Sequence, residues 1–212
     1  MAHVRTMTNR QIDSLVAKFR SVLKRHRSEV IAQYAEQVLG VGDLGIELYG
    51  VVRKHIECLV DLIFRTVTVN PFVTPQQVLD ATGRRQCIDK AAVGSMPRSS
   101  GIPRKAVFFR LGRFISHDGL NQAVADHLRA AGLNPNEWEM IDPISLAKIN
   151  GDDPAFADTH HNGTQWKDSD DKWCHAVFGK WGGERIVSVN CSDDDGWRDD
   201  WWFAVVREEL GC

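Results

Sequence analysis

The spacing of apolar residues changes twice along this chain, and each change marks a change of element. Ile12, Leu15, Val16, Phe19, Val22, Leu23, Val30, Ile31, Tyr34 and Val38 recur at intervals of three and four, the period of one face of an α-helix. Thr8-Asn9-Arg10-Gln11 has the capping-box spacing at its start, and Gly40 supplies a stop. A second helix is predicted from about Asp43 to Thr66. Its stripe of Leu44, Leu48, Val51, Val52, Ile56, Leu59, Val60, Leu62 and Ile63 is too wide for burial on one side. Residues 1–70 therefore predict a long helical hairpin, which must pack on the rest of the chain or pair with a second copy. A homodimer through the N-terminal helices is the expectation.

Asn70-Pro71 and Thr74-Pro75 break the pattern and set the expected boundary of a second domain, residues 71–212. Thr74-Pro75-Gln76-Gln77 opens a short helix, and a second short helix is expected around Lys90 to Ser95. Arg98 to Arg104 reads as a basic exposed loop, Lys105 to Arg110 as a strand, and Ser116 as the cap of a helix ending at Gly132. Asp142-Pro143 and Asp153-Pro154 read as two further helix starts.

From Gly163 the period shortens to two. Thr164 to Lys167, Lys172 to Gly179, Glu184 to Asn190 and Gly196 to Arg207 predict an antiparallel meander, joined by turns rich in aspartate and glycine. The fold class expected is α+β: an N-terminal helical hairpin, mixed helices, then a tryptophan-rich antiparallel β-meander.

Composition adds a polarity to this plan. The net charge of -2 conceals an imbalance: 18 Lys+Arg against 9 Asp+Glu up to Arg113, and 8 against 19 afterwards. A basic first half points to a polyanion, nucleic acid or an acidic protein, unless the two halves neutralise each other. The candidate phosphate contacts are Lys18, Arg20, Lys24, Arg25 and Arg27 on the first helix, with Arg84, Arg85, Arg98, Arg104 and Lys105 in support. No DNA-reading motif accompanies them, so contact to the backbone is expected.

Six of the seven tryptophans lie in the final segment. They fill a small sheet or form an aromatic platform, for which Trp197, Trp201 and Trp202 are the candidates. Adjacent Trp201 and Trp202 must point to opposite faces of a strand.

His160, His161 and His175 are the candidate ligands of a divalent metal, and the His161-Asn162-Gly163 run resembles the first element of the H-N-H nucleases. The later asparagine and histidine of that pattern are offered only in reversed order. No nucleotide-binding glycine loop, nucleophile elbow or H-E-x-x-H zinc motif is present. No catalytic residue is assigned and no other cofactor is expected. Five widely spaced cysteines without a C-x-x-C pair read as reduced thiols in the cytoplasm, and no membrane contact is expected. The function expected is a non-enzymatic binding or adaptor protein. A nuclease-like hydrolase and a subunit of a larger assembly are the alternatives.

Overall fold

The computed structural model describes residues 8–25, 62–99, 101–191 and 196–208. The chain divides into two compact units, Met1–Val60 and Asp61–Cys212. In the first, α1 spans Asn9–Arg25. Its cap is the one the sequence predicts: Gln11 Oε1 accepts from the Thr8 backbone N–H at 2.8 Å, and Thr8 Oγ1 accepts from the Gln11 N–H at 3.3 Å. Ile12, Leu15, Val16, Phe19 and Val22 form an exposed stripe. The rest of the expected hairpin, through Val60, lies outside the described residues.

The second unit is α+β, with helices on both faces of one mixed sheet. Its strands are β1 (Leu62–Val67), β2 (Arg85–Ile88), β3 (Arg104–Arg110), β4 (Glu139–Met140), β5 (Asn162–Lys167), β6 (Trp173–Trp181), β7 (Glu184–Cys191) and β8 (Trp202–Glu208). The order is β1-β3-β8-β5-β6-β7-β2, with β4 also paired to β8. The pairs β8–β5 and β7–β2 are parallel and all others antiparallel.

Two sequence expectations change here. Residues 62–66, which the apolar stripe had assigned to the second helix, belong to β1. The run Leu-Ile-Phe-Arg-Thr-Val is β-branched and aromatic, and Leu62 faces Phe109 while Val67 faces Arg104 of β3. The meander also stops after three strands. Thr164–Lys167, Trp173–Trp181 and Glu184–Cys191 do follow one another, but the fourth strand leaves β7 and inserts between β3 and β5. Its Ala204, Val205 and Val206 are all buried, as fits a central strand and not an edge one.

Four helices cover one face: α2 (Pro75–Ala81), α3 (Lys90–Gly94), α5 (Pro143–Asp152) and α6 (Phe156–Thr159). Leu79, Val93, Leu146 and Phe156 from these helices meet Ile63, Phe108, Val206, Ala176, Phe178 and Val189 from the sheet. Thr74 caps α2 with a complete capping box, and Asp142 caps α5 by accepting the Ser145 N–H at 2.8 Å. Asp153 instead ends α5. Among the described residues the opposite face carries one α-helix, α4 (Leu120–Ala130), whose Leu120, Val124 and Leu128 pack on Val107, Phe109, Phe203 and Val205. Ser116 bonds the Gly119 N–H at 3.2 Å one turn ahead of that helix, so the start falls later than expected.

Cys174 and Cys191, register partners on β6 and β7, form a disulfide on the four-helix face. Two of the thiols expected to be reduced are therefore joined. Cys87 on β2 is free and exposed. Among the described residues no helix is long and apolar enough to cross a membrane.

Candidate functional site

Helix α4 lies over β3 and β8 and leaves the other half of its face open. The alternation along β6 records this: Cys174, Ala176 and Phe178 are fully buried under the four helices, while Trp173, His175, Val177 and Trp181 on the opposite face are half-buried. On β7 the neighbours on that face are Ile186 and Ser188, half-buried, and Asn190, exposed.

Two glycines set the aromatic side chains flat against this half-sheet. A Cβ at Gly179 would stand 2.5 Å from Cη2 of Trp181, two residues further along the same strand. A Cβ at Gly163 would stand 2.6 Å from Cζ3 of Trp197. Each indole therefore rests on bare backbone. Trp201 meets Trp197 edge-on at 5.7 Å and Trp181 at 6.1 Å, and His161 lies 5.0 Å from Trp181 and 6.1 Å from Trp201. The result is a continuous patch of indole and imidazole.

A hydrogen-bond network fixes its centre. Gln165 Nε2 donates to the His117 carbonyl at 2.8 Å, which orients the amide. Gln165 Oε1 then accepts from Trp197 Nε1 at 2.7 Å and lies 2.8 Å from His117 Nδ1. An amide oxygen only accepts, so His117 carries its proton on Nδ1. His175 stacks against His117 with centroids 5.8 Å apart. Burial, and secondarily the neighbouring His117, hold His175 down at a pKa of about 4 against the contribution of Asn190, so it is neutral at pH 7. Its Nδ1 is buried without a hydrogen-bond partner. At one end of the patch, Trp173 Nε1 donates to Asp118 Oδ1 at 2.8 Å.

Cations bordering the patch are matched by carboxylates: Arg85 with Glu184 at 2.6 Å, Lys167 with Asp171 at 2.8 Å and Arg198 with Asp200 at 3.7 Å. The surface offers stacking and apolar contact more than phosphate neutralisation.

The residues singled out from sequence fall in several places. Lys18, Arg20, Lys24 and Arg25 are exposed on α1, and Arg27 lies outside the described residues. Arg98 is exposed and Lys105 sits over the Phe64 ring at 5.1 Å. Arg84 and Arg104 are not surface cations. Arg84, 5% exposed, donates to the carbonyls of Gly179 and Pro154 at 3.0 and 2.8 Å, tying β6 to the loop after α5. Arg104, 6% exposed, is held by Asp142, Glu139 at 3.0 Å and Ser145 at 2.6 Å. A guanidinium can satisfy several acceptors from one position, which is why these two serve inside the fold.

Trp197, taken from sequence as exposed, is 3% accessible because it forms the floor on Gly163. Trp201 and Trp202 do point to opposite faces, both half-buried. The three histidines are not brought together. His160 lies against Phe156 and Trp202, His161 against Trp181 and Trp201, and His175 against His117 and Trp197. The close-spaced group of metal-ligand types among the described residues is a different one, Asp168, Cys174 and Cys191.

Sequence reasoning missed Trp173 and Trp181 as surface residues, although they share the period-two positions of His175. It could not have found His117, which reaches the site from 48 residues before Gln165. Compared with protein-family models, curated proteins and solved structures, the chain finds no match.

Proposed function

We propose that this protein is a non-enzymatic adaptor with two contact surfaces of different chemistry. The observation that carries the reading is the half-open sheet face, where Trp173, His175, Trp181, Trp201 and His161, with Val177, form an aromatic patch on the side opposite the four helices. A half-buried aromatic patch on a rigid sheet suits a ligand that stacks. The second surface is the polar side of α1, where Arg10, Lys18, Arg20, Lys24 and Arg25 are exposed with Asp13 as the one acidic residue of the helix. That excess supports contact with nucleic acid through phosphates.

The test uses a single-stranded oligonucleotide at 50 and 200 mM salt, with the intact chain and two variants. Exchanging Lys18, Arg20, Lys24 and Arg25 for glutamine is expected to flatten the log–log salt slope by roughly 3, at about 0.7 per phosphate contact. Trp181→Ala weakens binding about 5- to 150-fold where a base stacks on the patch, following 1–3 kcal/mol per base. An unchanged affinity in Trp181→Ala assigns the patch to a separate partner. Absent or salt-insensitive binding by the intact chain overturns the nucleic-acid assignment and leaves an acidic protein as the partner of α1.

The exposed stripe Ile12, Leu15, Val16, Phe19 and Val22 favours a further reading, self-association of this helix as a homodimer or in a larger assembly. Val16→Glu is expected to shift the mass in light scattering from dimer to monomer. A monomeric parent chain rejects it.

A further inference from the structure

The disulfide marks a corner of the sheet where a third ligating side chain converges. The Sγ atoms of Cys174 and Cys191 and a carboxylate oxygen of Asp168 all lie within 4.8 Å of one another. The two cysteines face each other across β6 and β7 with Cα atoms 3.9 Å apart, a closely spaced pair of an antiparallel ladder. Asp168 is fixed by the turn that follows β5. Its Oδ1 accepts from the Asp170 and Lys172 backbone N–H groups at 2.9 and 3.0 Å, and its own N–H donates to the Lys172 carbonyl. Both side-chain bonds fall on Oδ1, which leaves Oδ2 for another partner. Ser95 Oγ stands 4.0 Å from Cys174 Sγ and accepts the Trp166 indole N–H at 3.0 Å, so a positioned hydroxyl backs the site. Cys174 is wholly buried, whereas Cys191 and Asp168 are partly exposed and give a path to solvent.

We propose that, with the disulfide reduced, Cys174, Cys191 and Asp168 bind a thiophilic divalent ion of the Zn²⁺ class, so that the site alternates between a metal–thiolate and a disulfide form. Two thiolates and one carboxylate match the donor set of such ions, and three protein ligands leave a fourth tetrahedral position for water. The chemistry balances. A thiol or phosphine reductant supplies two electrons, and two protons complete the thiols; metal binding then releases both thiol protons and forms two S–metal bonds. Oxidation by a disulfide reverses this and expels the ion.

The experiment uses the full chain, reduced anaerobically with a phosphine and then freed of it, and titrated with Co²⁺ or Cd²⁺ as the probe. Reduced protein is expected to gain a sulfur-to-metal charge-transfer band saturating at one equivalent, and oxidised protein none. A variant with Cys58, Cys87 and Cys212 changed to serine keeps the band. Cys191→Ser, at the partly exposed ligand, loses it. Asp168→Asn retains the turn, because its amide oxygen accepts the same two backbone bonds, yet weakens the ion by more than the 10- to 100-fold typical of losing an outer-shell contact. No band in the reduced chain, or an undiminished band in Cys191→Ser, overturns the site. Unchanged affinity in Asp168→Asn overturns the three-ligand assignment.

Discussion

Trp181 lies on the backbone of Gly179, two residues earlier in the same strand, so close that a methyl group on that glycine would overlap the six-membered ring. The aromatic patch thus depends on a residue with no side chain as much as on the indole. Gly163 plays the same part beneath Trp197, with the Ala176 carbonyl 3.1 Å from the added carbon as a second obstacle.

Gly163→Ala and Gly179→Ala separate these roles. Trp197 is enclosed and cannot swing aside, so Gly163→Ala is expected to cost about 2–3 kcal/mol, the upper part of the range for overpacking. Trp181 is half-buried and can lift away, so Gly179→Ala costs about 1 kcal/mol while displacing the patch. Urea unfolding gives the two stabilities. Acrylamide quenching detects the lifted indole.

Arg104 and Arg98 make a matched pair of tests for the reassignment of basic residues. Arg104→Ala leaves Asp142, itself largely buried, without its cation and is expected to destabilise by about 3–5 kcal/mol. Arg98→Ala removes an exposed charge and changes stability by less than about 0.5 kcal/mol. Thermal melts of the two variants check this. Equal melting temperatures would show that Arg104 is not structural.

His175 gives the fold a dependence on pH whose sign can be worked out. Its pKa is about 4 in the folded protein against 6.5 ordinarily, so below pH 6.5 the unfolded chain binds a proton that the folded chain refuses. Stability from this group is complete above pH 6.5 and falls as pH drops to about 4, by about 2–3 kcal/mol after allowing for residual contact with water. Chemical denaturation across that window measures the loss. His175→Gln flattens this part of the profile.

Gln165 is the hub of the central network, and Gln165→Leu strands the Trp197 indole N–H and the His117 ring at once. The expected cost is about 2–3 kcal/mol, the penalty of leaving buried donors unmet. Nitrogen NMR of the parent imidazole supplies a direct check: His117 should show its proton on Nδ1, and the Nε2 tautomer would contradict the assigned amide orientation.

Local signals were the readable part of this fold. Thr8 with Gln11, Thr74 with Gln77 and Asp142 before Pro143 each declare a helix start by hydrogen bonds that close within three residues. The run Leu62 to Val67 deceived because Leu62 and Ile63 continue the apolar stripe that precedes them, and a short apolar run on an edge strand has no period that tells it from the end of a helix. The position of β8 was hidden for another reason: period two shows that a strand exists and gives nothing about which strand it joins. The site was legible only as tryptophan and histidine density. Arg84 and Arg104 resemble other arginines in sequence, and only their acceptors, the Gly179 and Pro154 carbonyls and Asp142, distinguish them as internal struts.

The placement of β8 also orders the birth of the molecule. Within the sheet the β1–β3 pair and the β5–β6–β7–β2 ribbon are hydrogen-bonded to each other only through residues 202–208, so the facing edges of β3 and β5 stay bare during synthesis until that strand is made. Helix α5 packs on β1, β5 and β6 and bridges the two pieces earlier, but the sheet itself closes only with β8. A chaperone that shields exposed strand edges has its window of action on this protein before then.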